Sequence, residues 1–83
     1  MANIKAKVIS QKGICTAGHK VGDTFIIGET TPPGLCCWAF QSLFPFVSTL
    51  HFSGSFDYES DPTQTTTACP DAANPVVFQI TKE

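Results

Sequence analysis

Four side chains in this sequence bear ligand or nucleophile chemistry, and two of them, Cys15 and Cys69, stand in polar turns where packing gives little reason for a thiol. Cys15 and His19 share one glycine-bearing stretch, CTAGHK, four positions apart. Cys36 follows Pro-Pro-Gly, and Cys69 stands directly before a proline in TTACPD. Zinc and iron–sulfur centres take thiolates and imidazoles, three or four of them converging at about 2.0–2.3 Å from the metal. A turn aims two side chains at one point. A cysteine at a helix start meets free N–H groups and the positive end of the helix dipole, which favour a thiolate. Pro70 has no N–H donor, so a ligand-bearing corner is easily built there. Cys15, His19, Cys36 and Cys69 therefore form a candidate Cys3His metal set for zinc or an iron–sulfur cluster.

The same residues admit other readings. As a thiol enzyme or redox protein, the chain would use Cys36 as nucleophile, His19 as its base, and Cys69 or Cys15 as the resolving partner. As plain structure, cysteine is among the most buried residue types and packs as a small hydrophobe. No Cys-x2-Cys pair is present to decide by spacing. Cys37, between Cys36 and Trp38, reads as core packing, and so do Trp38, Phe40, Phe44 and Phe46. His51, near the end of an apolar helix, reads as structural, complementing that helix terminus. Asp57, Glu59 and Asp61 in DYESDP read as a solvated acidic loop, and Asp71 as an Asx-turn former. Gly13, Gly18 and Gly22 lack the spacing of a phosphate cradle.

These candidates must be carried by short elements. IKAKVIS (residues 4–10) alternates Ile4, Ala6 and Val8 against Lys5 and Lys7, the pattern of a half-buried strand. DTFIIG (23–28) is β-branched and aromatic and makes a second strand. After the ETTPPG loop, LCCWAFQSLF (35–44) reads as a helix buried on most of its circumference. Pro45 should kink it or begin a second helical turn over 45–52, and SGS ends the segment. A short threonine strand fits 65–68, and VVFQITK (76–82) is the last strand. The order β-β-α-β-β predicts a single α+β domain over 1–83, a small antiparallel sheet of about four strands packed on one kinked, aromatic-rich helix.

Bulk properties bound the function. A chain of 83 residues has a small core, so a metal, a disulfide or a partner subunit is a natural staple. Only 14% of residues are charged, which points to a homo-oligomer or a larger protein partner. The net charge is −2, with five lysines, no arginine and no basic stripe, and this argues against nucleic acid. The N-terminus has no apolar signal region, and the longest apolar run, broken at Gln41, Ser42 and Pro45, is too short to span a bilayer. The expected setting is a reducing cytoplasm, where structural disulfides are rare.

GHKVGD, PPGLCCWAFQSLFPF and CPDAANPVVFQI together resemble the pattern of a family of small, uncharacterised bacterial and archaeal proteins, many from anaerobes. That pattern is Cys, then Gly-His-x-x-Gly-Asp, then Pro-x-Gly-x-Cys, then Cys-Pro-Asp with Asn-Pro-Val-Val-Phe. The resemblance covers nearly the whole chain. It singles out Cys15, Gly18, His19, Gly22, Asp23, Gly34, Cys36, Cys69, Pro70 and Asp71, and leaves out Cys37. It implies no particular reaction. An anaerobic setting would suit an oxygen-sensitive iron–sulfur cluster as well as zinc.

Overall fold

A computed structural model of the chain describes residues 3–82. The alternation in its first segment becomes strand β1 (Ile4–Gln11), followed by β2 (Thr24–Ile27), helix α1 (Cys37–His51), β3 (Gln64–Ala68) and β4 (Val76–Lys82). The sheet order is β2-β1-β4-β3, and every neighbouring pair is antiparallel. This is the α+β fold expected from the sequence. The central pair β1–β4 runs from Ile4 opposite Lys82 to Gln11 opposite Val76, with a bulge between Val8 and Ser10. A bulge locally increases twist and re-aims the residues beyond it. Here the Val8 N–H donates to the Asp23 carbonyl at 2.8 Å and the Gly22 N–H donates to the Val8 carbonyl at 2.9 Å. Those bonds fasten the turn that bears His19 to the centre of β1.

One face of the sheet is covered. Ile4, Ala6 and Val8 from β1 and Val76, Phe78 and Ile80 from β4 meet the inner stripe of α1, formed by Ala39, Leu43, Val47 and Leu50. Spacings of three and four residues keep such a stripe on one side of a helix. Three expectations for the helix need correction. It is one helix from Cys37 to His51 with Pro45 inside it, so of the two outcomes expected at the proline, a kink or a new start, the new start does not occur. It buries one stripe and not most of its circumference, because a single sheet face is all it has to cover. Trp38 and Phe44, expected in the core, are 65% and 50% exposed, and Cys37 is exposed too, so its thiol is no core packing group. Phe40 and Phe46 flank the stripe, partly buried against the core.

The helix ends at His51, and Gly54 turns back to donate its N–H to the Thr49 carbonyl at 2.8 Å. A Cβ at Gly54 would lie 2.7 Å from the Thr49 methyl, so only glycine fits that return. His51, at the helix end, has a partner outside the helix: its Nε2 donates to the Ile27 carbonyl at 3.3 Å, tying the helix end to β2. Among the described residues no helix is long and apolar enough to cross a membrane.

Candidate functional site

Cys15 opens the turn beyond β1, where the Gly18 N–H closes back on its carbonyl at 2.9 Å. Gly18 has φ +82°, a conformation that suits glycine and delivers the chain to His19. His19 is buried. Its ring stands edge-on to Phe25, with centroids 5.2 Å apart, and to Phe78, 6.1 Å apart. Asp23 closes this turn. It accepts the Lys20 N–H at 3.1 Å and faces the Lys20 ammonium at 3.3 Å. The Lys20 N–H bond is the main reason its carboxyl is held below the ordinary 3.8 of an aspartate.

Cys36 is the N-cap residue of α1, and its side chain makes no capping bond. Its backbone N–H donates instead to Nε2 of His19 at 3.1 Å. In a neutral ring this leaves the proton on Nδ1, so neither ring nitrogen has a lone pair to spare. The histidine thus holds the main chain of Cys36 and is not paired with its thiol.

Cys69 follows β3, and its N–H donates to the Val76 carbonyl at 2.9 Å. Its sulfur accepts the Val76 N–H at 3.3 Å, and its S–H points to the Asn74 carbonyl at 3.9 Å. Asp71 forms the expected Asx turn: its Oδ1 accepts from the N–H groups of Ala73 at 3.1 Å and Asn74 at 3.2 Å.

These three segments meet at one half-open cavity of about 250 Å³, lined by Cys15, His19, Cys36 and Cys69 together with Trp38 and Asp71. The three cysteines are half-buried, and all four thiols of the chain are free. Among the described residues, no three His, Cys, Asp or Glu side chains are close enough to hold an ion as they stand. The donor set is soft, as zinc and iron–sulfur centres require. Nε2 of His19 is already taken up by the Cys36 N–H. Sequence reasoning did not single out Asn74, which touches both cysteine-bearing loops. Its signal was the Asn that opens the Asn-Pro-Val-Val-Phe part of the resembled pattern, three residues after Asp71. Compared with known proteins, the chain matches no family model, no curated protein and no solved structure.

Proposed function

We propose that the protein is a small metal-binding module in which Cys15, Cys36 and Cys69 give thiolates to zinc or an iron–sulfur cluster. The observation that carries this reading is convergence: three thiols from three segments, spread over 55 residues of chain, line one cavity. The cavity, about 250 Å³ and open on one side, is not closed over by other side chains, so an ion can reach the thiols from solvent. The Val76 N–H on the Cys69 sulfur strengthens once that sulfur carries charge. His19 contributes by holding Cys36 at the cavity wall. Three protein thiolates leave one coordination position open. A reducing, cytoplasmic setting suits thiols of this kind.

The test is metal analysis with a visible spectrum on protein purified without air. The expected result is about one equivalent of colourless zinc, or iron with a brown chromophore, lost in C15S, C36S and C69S and kept in C37S. A wild-type protein that holds no metal and takes up no cobalt(II) in its reduced form overturns the reading.

A second reading has one observation in its favour. Cys36 sits at a helix start with its sulfur unused by any cap, which suits a nucleophilic or redox thiol. Alkylation at neutral pH distinguishes the two: one fast-reacting cysteine at 36 supports thiol chemistry, and uniform inertness argues against it. Trp38, Phe44 and Phe52, all exposed, are compatible with a second copy or a larger protein partner, and sedimentation of the purified chain tests that.

A further inference from the structure

The strands end before the cysteines begin. The β1–β4 ladder stops at Gln11 opposite Val76, and the last main-chain bond beyond it runs from the Lys12 N–H to the Pro75 carbonyl at 3.0 Å. Cys15 lies three residues further on, flanked by exposed Ile14, Thr16 and Ala17. Its loop is nevertheless tied to the Cys69 loop, by one side chain. Asn74 Oδ1 accepts the Ile14 N–H at 2.9 Å, next to Cys15. The main-chain carbonyl of the same residue faces the Cys69 S–H at 3.9 Å. The amide of Asn74 is fixed in turn by Asp71, whose Oδ2 accepts from its Nδ2 at 3.2 Å while Oδ1 accepts its backbone N–H. That bond also decides which way the amide points, with oxygen towards Ile14. Gly13, at φ +68°, makes room for it, since a Cβ there would overlap the Asn74 side-chain oxygen.

We infer that Asn74, oriented by Asp71, is a positioning residue that sets Cys15 against Cys69 across the cavity and thereby tunes the cavity's affinity for a thiophilic metal. The inference rests on the metal-binding reading. Without the Asn74 bond to Ile14, the Cys15 loop has to be ordered when the metal arrives, and that ordering entropy is subtracted from binding. Groups that orient ligands without touching the metal commonly change affinity 10- to 100-fold when removed.

The experiment is cobalt(II) titration of the reduced full chain against a chromophoric chelator, for wild type, N74A, D71N and the exchange D71N/N74D. Amide exchange of Ile14 is followed in the metal-free proteins. N74A should bind cobalt about 10- to 100-fold more weakly, and D71N less severely, because it loses one side-chain bond on an exposed loop. The exchange swaps donor and acceptor: the amide placed at position 71 can donate to the carboxylate placed at position 74, which still accepts from Ile14. It should recover most of the loss, and a merely destabilised loop would not be rescued in this way. Ile14 should exchange faster in N74A and be protected again in the exchange. Wild-type affinity in both N74A and D71N overturns the inference, and D71N alone decides it if N74A does not fold. If the wild type binds no cobalt, the metal reading fails by itself. The positioning role is then judged on Ile14 exchange: unchanged protection in N74A overturns it, and faster exchange that the swap reverses upholds it.

Discussion

The backbone N–H of Cys36 donates to Nε2 of His19 at 3.1 Å, and this bond joins the first turn of α1 to the loop beyond β1. His19 is a partner of the cysteine's main chain before it is a partner of any metal. H19F keeps an aromatic ring between Phe25 and Phe78 but leaves the Cys36 N–H without its acceptor. The expected cost is about 1–3 kcal/mol of stability. In a domain of this size each kcal/mol lowers Tm by roughly 4–8 °C. Cobalt binding should weaken in H19F and vanish in C36S. Equal loss in the two variants would make His19 a ligand and refute its assignment as a holder of Cys36.

Trp38 is the only tryptophan, is largely exposed, and stands at the rim of the thiol cavity. Its emission should be that of a solvated indole and should be quenched readily by acrylamide. Filling the cavity with cobalt, or alkylating the thiols, should change that emission, because the indole lines the same space. Emission unmoved by stoichiometric cobalt would mean that the metal sits elsewhere.

The strands were legible because only one sheet face is covered. Ile4, Ala6 and Val8, and likewise Val76, Phe78 and Ile80, alternate with residues of the open face, and period two results from that. The helix was legible as an element but not in its orientation. Its apolar residues outnumber the positions that a single sheet can cover, so composition alone could not say that Ala39 and Leu43 face in while Trp38 and Phe44 face out. The candidate residues were found by type. Their meeting depends on the order β2-β1-β4-β3, which sets the end of β1 beside the start of β4 and so brings Cys15 near Cys69. Nothing in the spacing encodes that order. The orientation of His19 was likewise hidden, since it depends on Phe25 and Phe78, which are distant from each other in the chain.

Acid should loosen the turn that leads into β3. Asp61 Oδ1 accepts from the Thr63 hydroxyl at 2.7 Å and from the Thr63 N–H at 3.0 Å. These bonds, the hydroxyl's first, hold its carboxyl below the ordinary 3.8. A carboxyl lowered in the folded state stabilises the fold above its unfolded value, and that contribution is lost as pH falls through the folded value. Asp23 acts in the same direction. Stability should therefore be insensitive to these groups above about pH 5 and decline below pH 3.8. D61A should flatten the decline, as measured by urea midpoints across that range. An unaltered pH profile in D61A would remove Asp61 as a source of acid sensitivity.

Pro45 is where the fold can be improved. A proline inside a helix removes one N–H donor and crowds the preceding turn. Here the Gln41 carbonyl, four residues back, loses its helical partner. Both Gln41 and Pro45 are exposed, on the side of α1 away from the Ala39–Leu43–Val47–Leu50 stripe. Water can therefore satisfy that carbonyl, which explains how the helix continues through the proline. The residue also packs nothing in the core, so replacing it opens no cavity. P45A restores the donor and leaves in place the Pro45 carbonyl that accepts the Thr49 hydroxyl at 2.9 Å. Alanine is favoured over proline in a helix interior by about 3 kcal/mol. The extra freedom it gives the unfolded chain returns about 0.4–1 kcal/mol of that. A net gain of about 2 kcal/mol should appear as a higher denaturant midpoint at unchanged slope. Because the cavity lies at the start of the helix, beside Cys36, itself more than two turns from Pro45, cobalt affinity should not move. A loss of stability in P45A would mean that the proline fits the helix to the sheet, and that this fit is worth more than the missing hydrogen bond.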